Sequence, residues 1–179
     1  MPGLVPGIHV FLNVWQQSKA WMAGTSPAMR TIIANHSRNT MSDPAWSLHP
    51  QLKKDTIDIG DLPLCRVLVI QDAHYPWLLL VPRRDGAVEI IDLDEIEQAQ
   101  LMTEISRVAR ALKDITKCDK LNIAALGNVV PQLHVHVIAR RTSDAAWPRP
   151  VWGVMPPLPH DPEEVRNFIS ALRRKIWLS

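Results

Sequence analysis

The stretch from Asn128 to Arg141, "NVVPQLHVHVIARR", combines the apolar residues of a buried strand with two histidines. Successive side chains of a β-strand point to opposite faces. Gln132, His134 and His136 therefore share one predicted face, and the other face is apolar, with Leu133, Val135 and Val137. A single histidine in a core is more often a hydrogen-bonded structural residue. Two imidazoles at this spacing behind a glutamine favour a functional site.

The composition is typical of a globular domain. The chain has 179 residues, of which 46% are hydrophobic, and a net charge of +2 from 20 basic and 18 acidic residues. No basic stripe and no long apolar run stands out, so we expect neither a nucleic-acid partner nor a membrane partner. The two cysteines, Cys65 and Cys118, lack metal-type spacing and predict reduced thiols in a cytoplasmic protein.

Residues 1–40 differ from the rest of the chain. They have no helical period, and they resemble the translation of a dispersed bacterial repeat element. The basic and long apolar regions of a secretory signal are missing, and Gly and Pro interrupt the amphipathic helix of a transit peptide. We therefore expect a non-native or disordered extension at 1–40. A single domain is predicted at 41–179, with its core at about 60–145 and a C-terminal loop and helix at 146–179.

The hydrophobic pattern predicts strands on either side of one long helix. We expect a short helix in "HPQLKKDT", an antiparallel hairpin from "CRVLVIQD" and "WLLLVP", and a brief third strand in "AVEII". The long helix is predicted at 92–116, with Asp92 as its N-cap and Glu95 completing a capping box. Its predicted inward positions are Ile96, Met102, Ile105, Ala109, Leu112 and Ile115. Its charged residues, among them Glu104, are expected on the solvated face.

Two further strands and a final helix complete the predicted domain. The strands are "KLNIAALG" and "QLHVHVIAR", and Arg140 is expected to be a solvated charge at the end of the second. A proline-rich loop follows, and Asp161 with Pro162 marks the start of the last helix. This order of elements predicts an α+β fold with an antiparallel sheet of about five strands.

The segment "QLHVHVIAR" resembles the signature of the histidine triad (HIT) superfamily, His-φ-His-φ-His-φ-φ, where φ is apolar. The order of hairpin, helix and strands over roughly 60–145 is similar to that of the family as well. Gly127 and Asn128 occupy the place of a Gly-polar pair that the family has five residues ahead of the first triad position. The resemblance implies a HIT-like fold.

The resemblance also implies a nucleotide hydrolase or nucleotidyl transferase that acts at the α-phosphate. The central histidine, His134, would be the nucleophile and form a covalent nucleotidyl-histidine. His136 would contact the phosphate and, if protonated, stabilise its charge. No metal and no cofactor would be needed. The predicted substrate-binding residues are Asn128, Asn122, Val129, Val130, Asp72 and Gln71; the last two are candidates for the ribose.

This chain departs from the family pattern at two positions. Gln132 stands at the first triad position, and Trp77 stands about where many members have a histidine. Glutamine can donate and accept hydrogen bonds but carries no proton charge. One interpretation is that Gln132 bonds near the nucleophile and fixes its tautomer. The other is that the loss of the first imidazole has removed most of the catalytic activity, so that the protein is a nucleotide-binding module with little turnover.

Two other expectations concern partners. A metal site at His134 and His136 is disfavoured, because zinc usually takes three or four protein ligands. The resemblance implies a homodimer, with the helix at 92–116 and its neighbouring strand as the two-fold surface. Trp147 and Trp152 are expected to be packing residues in the loop after the motif.

Overall fold

Five antiparallel strands form one sheet in the computed structural model, which describes residues 43–177. The strands are β1 (Thr56–Asp61), β2 (Cys65–Ile70), β3 (Trp77–Pro82), β4 (Lys120–Ala124) and β5 (Val135–Arg140). Their order across the sheet is β1-β2-β3-β5-β4. The predicted α+β fold is confirmed, and the prediction for residues 1–40 lies outside the described residues.

In the described part of the chain, three helices accompany the sheet: α1 (Pro50–Asp55), α2 (Glu95–Thr116) and α3 (Pro162–Trp177). One face of the sheet packs against α2 and α3 through a large apolar cluster that includes Leu101, Val108, Leu172, Val67, Leu80 and Val137. The alternation of side chains along β5 places Val135, Val137 and Ala139 in that cluster. No helix among residues 43–177 has the length and apolar run needed to cross a membrane.

The opposite face of the sheet is only partly covered. A smaller apolar cluster there contains Leu52 of α1, Leu68, Leu79 and Ile138 of the sheet, and Ala146 and Val151 of the loop before α3. His136 alternates with Val135 and Val137 along β5 and therefore lies on this second face. The fold thus leaves an opening over the second face, between α1 and the loop before α3.

One strand of the sheet was not predicted, and one predicted strand was wrong. Residues 56–61 form β1, which pairs with β2 and has a register shift between Asp58 and Gly60. Segment 87–91, predicted to be a strand, leads into a 3-10 turn at Ile90–Asp92. The cause of the turn is the Asp92 carboxylate, whose Oδ2 accepts hydrogen bonds from the backbone N–H groups of Val88 and Glu89 at 2.9 and 2.7 Å.

The start of the long helix was predicted two residues early. The N-cap of α2 is Asp94, whose Oδ1 accepts from the backbone N–H of Glu97 at 2.8 Å. The Asp-x-x-Glu spacing occurs twice, at 92–95 and at 94–97, and Asp92 is already engaged in the preceding turn. The sequence pattern alone therefore could not distinguish the two frames.

Three side chains on α2 do not have the predicted burial: two that were expected to face inward are exposed, and one that was expected in solvent is buried. Ile96 and Met102 are 45% and 62% exposed. Glu104, expected in solvent, is buried, and its two carboxylate oxygens each accept a hydrogen bond at 2.8 Å, from the backbone N–H groups of Leu64 and Cys65. Leu64 precedes β2 and Cys65 is its first residue, so the carboxylate satisfies the backbone N–H groups at the beginning of the strand.

Arg140 is also buried rather than solvated. Its guanidinium donates to both carboxylate oxygens of Asp144 at 2.7 and 2.8 Å and to Oδ1 of Asn122 at 2.7 Å. The hydrogen bond to Arg140 lowers the pKa of the Asp144 carboxyl. This bidentate pair fastens the loop after β5 to the sheet, which explains why a charge can be buried there.

Candidate functional site

The two histidines of the motif lie side by side on the second face of the sheet. His134 immediately precedes β5 and His136 lies within it; the residues are 7% and 6% exposed. Their ring centroids are 4.9 Å apart, and the rings meet edge to face at 72°. Both imidazoles therefore lie on one face of the sheet, as the sequence predicts.

The tautomer of His134 is fixed by a backbone carbonyl. Nδ1 of His134 lies 2.6 Å from the carbonyl oxygen of Gln132. A carbonyl oxygen can only accept a hydrogen bond, so Nδ1 must carry the proton and donate it. The other ring nitrogen, Nε2, then holds a lone pair in neutral His134. A lone pair is what a nucleophilic imidazole requires.

The tautomer of His136 is fixed in the opposite sense. The indole Nε1–H of Trp77 donates to Nδ1 of His136 at 3.0 Å. Because an indole N–H can only donate, Nδ1 of His136 must hold a lone pair, and the proton of the neutral ring lies on Nε2. The antiparallel pairing of β3 with β5 places Leu79 opposite His136, and Trp77 is the diagonal neighbour on the same face.

His136 is neutral in the free protein. Burial, with a smaller contribution from the nearby His134 ring, lowers the pKa of His136 from 6.5 to about 3. Desolvation penalises the charged imidazolium, and protonation of Nδ1 would also turn a donor toward the Trp77 N–H. The contribution expected of His136 if it were protonated is therefore not available at neutral pH, where the neutral ring can donate a hydrogen bond from Nε2.

A pocket of about 470 Å³ opens beside these two imidazoles. Its walls come from α1, β3, the loop before β5 and the loop before α3. The apolar lining residues are Leu52, Ile70, Trp77, Leu79, Leu126, Val129, Val130 and Trp152, and the polar ones are Gln51, Asp55, Asn128, His134 and His136. A concave, mostly apolar cavity with a few convergent polar groups is typical of a small-molecule site.

Some of the predicted substrate-binding residues line this pocket and others do not. Asn128, Val129 and Val130 lie in its wall, in the loop that follows β4. Asn122 instead accepts the hydrogen bond from Arg140 and does not line the pocket. This geometry favours Asn128 over Asn122 as a ligand for the substrate.

The two candidates for the ribose also have other partners. Oδ1 of Asp72 accepts from the backbone N–H groups of His74 and Leu158 at 3.1 and 3.2 Å. The Gln71 amide donates to the carbonyl of Lys54 at 2.9 Å. Neither side chain lines the pocket beside the imidazoles. Both hold neighbouring loops in place, as short polar side chains near turns often do.

Sequence reasoning missed several lining residues, among them Gln51, Asp55 and Trp152. Gln51 and Asp55 lie one helical turn apart on α1, and the Gln51 amide donates to the Asp55 carboxylate at 2.7 Å. Their i, i+4 spacing on a short helix was the available signal. Trp152, expected to be a packing residue, contacts both His136 and Trp77 edge to face, with ring centroids 5.3 and 5.6 Å away.

Gln132 does not fix the tautomer of His134 through its side chain. Its Oε1 accepts from the backbone N–H of His49 at 2.9 Å, and its Nε2 donates to the carbonyl of Ser47 at 2.9 Å. The amide therefore ties the segment ahead of α1 to the loop ahead of β5. Only the backbone carbonyl of Gln132 contacts the nucleophile candidate.

Two other kinds of site can be compared with this pocket, a metal site and a second cavity. Within residues 43–177, no group of three or more His, Cys, Asp or Glu side chains is arranged to hold a metal ion. A second cavity, of about 500 Å³, lies on the other side of residues 46–53, next to Arg66 and Arg83. No imidazole lines it, so the chemistry that two histidines can provide belongs to the first pocket.

Comparisons with known proteins agree on one family. The model of the HIT domain family matches residues 51–143. A histidine triad protein from Bradyrhizobium japonicum is 84% identical, with a TM-score of 0.74, over 75% of this chain and 100% of that one. A histidine triad protein from Sinorhizobium meliloti is 44% identical, with a TM-score of 0.72, over 73% of this chain and 97% of that one.

A third solved structure extends the range of organisms. A histidine triad protein from Marinobacter aquaeolei is 41% identical, with a TM-score of 0.71, over 73% of this chain and 96% of that one. No curated protein matches the chain.

The contacts of Gln132 predict a mechanical role that can be measured. Gln132→Ala removes two hydrogen bonds, so we expect it to destabilise the protein by about 1–2 kcal/mol and speed amide hydrogen exchange at residues 47–55. Gln98→Ala is a matched control, because the Gln98 amide donates to a carbonyl at the start of α2, away from that segment. If Gln132→Ala slowed the reaction of His134 without altering exchange at 47–55, the amide would act on the nucleophile instead.

Proposed function

Because the chain belongs to the histidine triad family, we propose that it is a nucleotide hydrolase or nucleotidyl transferase that works through a covalent nucleotidyl-histidine at His134. The observation that carries this proposal is the hydrogen bond from Nδ1 of His134 to the carbonyl of Gln132. It leaves Nε2 with a lone pair on a residue that lines the pocket. An imidazole held in this way is a nucleophile that needs no separate base.

The proposed reaction has two steps at the α-phosphorus. Nε2 of His134 forms a bond to phosphorus while the bond to the leaving group breaks, and the leaving group keeps the electron pair. The imidazole then bears a positive charge, which the carbonyl of Gln132 stabilises through the Nδ1 proton. Water attacks phosphorus next, the P–N electron pair returns to Nε2, and the proton of the water passes to solvent. Another acceptor in place of water would make the protein a transferase.

The remaining lining residues have complementary roles in this proposal. The neutral His136 ring donates from Nε2 to a non-bridging phosphate oxygen. Asn128 and the backbone N–H groups of Val129 and Val130 would bind the other oxygens. The apolar wall suits a nucleobase, and the polar pair Gln51 and Asp55 suits the hydroxyl groups of a ribose. Asp72 and Gln71 are no longer favoured for the ribose, because they do not line the pocket.

The alternative function is a nucleotide-binding module with little turnover. The observation that favours it is the glutamine at the first triad position, which has no acidic proton to supply. The two functions differ in their products. An enzyme releases nucleoside monophosphate and traps a labelled nucleotide on His134, whereas a binding module retains intact ligand.

The free thiols support a reducing compartment, and we propose a cytoplasmic protein. Cys65 and Cys118 are both buried and unpaired. Burial raises the pKa of the Cys65 thiol, and the nearby Glu104 carboxylate raises it further. A thiol of this kind is an inert part of the core rather than a reactive group.

The nucleophile is tested by His134→Ala. We expect this variant to lose turnover of every nucleotide substrate, because the other imidazole of the described pocket wall, His136, has its Nδ1 lone pair bound to Trp77 and a proton on Nε2. Release of AMP from adenylate esters, anhydrides and phosphoramidates is the measurement. His74→Ala is the control, since His74 binds Asp72 and does not line the pocket. Activity of His134→Ala above a few per cent of the wild type would contradict the covalent mechanism.

We also propose that the protein is a homodimer joined through α2 and the edge strand β4. Strand β4 has a neighbour only on one side, so its other edge can pair with a second chain. Exposed apolar side chains on these two elements are Ile96, Met102 and Ile123. Exposed apolar groups on two elements that follow each other along the chain can form one interface with a second copy.

Light scattering tests the proposed dimer. We expect twice the 20.2 kDa mass of the chain at micromolar concentration. Ile123→Asp should shift the protein toward monomer, because it places a charge in the two-fold surface. Ile91→Asp is a matched control, since Ile91 is exposed but lies in the 3-10 turn, outside α2 and β4. A wild-type monomer at micromolar concentration would refute the dimer.

A further inference from the structure

We infer that this site selects nucleotide substrates by their leaving group, and that it favours acidic leaving groups such as phosphates, polyphosphates and carboxylates over amines. The inference rests on the proposed function and specifies its substrate class. Its basis is that the described part of the pocket offers no acidic proton to a departing group. Trp77 is the specificity-determining residue, because its indole N–H occupies Nδ1 of His136.

His136 is the first group that could serve as a general acid, and its surroundings prevent this. Its Nδ1 accepts from Trp77, and the ring is 6% exposed. A second proton would have to enter at Nδ1, where the Trp77 N–H already points. The groups that face the ring are the imidazole of His134, just before β5, and the indole rings of Trp77 and Trp152. Asp55 on α1 is the only carboxylate in the described pocket wall.

The other lining groups cannot replace His136 as the acid. His134 forms the covalent bond through Nε2, and its Nδ1–H stays hydrogen-bonded to the carbonyl oxygen of Gln132. The amide of Gln132 is bound to the segment ahead of α1 and does not release protons. The carboxylate of Asp55 accepts a hydrogen bond from the amide of Gln51. The three titratable residues that line the described pocket are thus each committed to another role.

The leaving group must therefore depart with its electron pair and without a proton from the protein. In this step the P–N bond to His134 forms, and the bond from phosphorus to the leaving group breaks. A phosphate, polyphosphate or carboxylate leaves as a stable anion. An amine would leave as a strongly basic anion unless it were protonated, so the P–N bond of a phosphoramidate is a poor substrate here. General acids typically contribute about 10²–10⁴-fold to such steps.

A matched pair of substrates tests the inference. Adenosine 5′-(p-nitrophenyl phosphate) releases an acidic phenol, and adenosine 5′-phosphoramidate releases ammonia. We expect the wild type to show a kcat/KM at least about 100-fold higher for the ester, in line with the typical contribution of a general acid. Trp77→Phe removes the indole donor, so that a proton can enter at Nδ1 of His136, while burial continues to lower the pKa of the ring. It should raise the ratio of phosphoramidate to ester turnover at least about tenfold.

Trp152→Phe is the control for loss of an indole from the same pocket. Trp152 contacts the His136 ring by its edge, whereas the donor to Nδ1 is Trp77. The Trp152→Phe variant should have the same ratio of phosphoramidate to ester turnover as the wild type. An equal change of the ratio in both variants, or no change in Trp77→Phe, would overturn the role assigned to the hydrogen bond.

A second measurement needs only the wild-type chain. Across a series of aryl esters of AMP, kcat/KM should fall steeply as the leaving phenol becomes less acidic, because no proton assists departure. A flat dependence would overturn the inference. Comparable turnover of the phosphoramidate and the ester, with a labelled His134, would also overturn it while leaving the proposed function intact. Absence of both turnover and labelling would instead refute the proposed function.

Discussion

Two hydrogen bonds at the same ring position, Nδ1, set the chemistry of the neighbouring imidazoles. In His134 this nitrogen donates to the carbonyl of Gln132, and in His136 it accepts from the indole of Trp77. The first bond leaves a nucleophilic lone pair on Nε2, and the second leaves a proton there. One ring can therefore attack phosphorus while the other donates to its oxygen, although the two rings have the same chemistry in isolation.

The fold provides both bonds through backbone placement. The pairing of β3 with β5 puts Trp77 diagonally beside His136 on the partly covered face of the sheet. The loop ahead of β5 is fixed from two sides: the N–H of Leu133 donates to the carbonyl of Ala87 at 2.9 Å, and the Gln132 amide binds residues 47–49. Because this loop cannot shift freely, the carbonyl of Gln132 stays within reach of His134.

The sequence predicted the sheet, the long helix and the pair of imidazoles, because these follow from local periodicity. Periodicity failed where side chains bind distant backbone groups. Glu104 has the helical spacing of a solvated charge, but it satisfies two N–H groups some forty positions away, at 64 and 65. Gln132 has the spacing of a site residue, but its amide binds the segment at 47–49. Such partners are set by tertiary structure, and no spacing rule identifies them.

The same limit explains what was missed in the pocket. Asn128, Val129 and Val130 were found because they are adjacent in sequence to the motif. Trp152 and Asp55 come from a loop and a helix that lie over the same face of the sheet but are about a hundred residues apart in sequence, and only the folded chain brings them together. β1 was overlooked because its alternation contains only two apolar residues, Ile57 and Ile59, and because Asp and Gly, which are uncommon in strands, stand at 58 and 60, where the register shifts.

The opposite tautomers of the two imidazoles are the central claim, and nitrogen NMR measures them directly. In protein labelled with ¹⁵N histidine, long-range ¹H–¹⁵N correlations distinguish a protonated ring nitrogen from one with a lone pair. We predict the Nδ1–H form for His134 and the Nε2–H form for His136, with His136 still neutral at pH 5. This follows from its pKa of about 3. Titration of His136 near pH 6.5, or the same tautomer in both rings, would contradict the account.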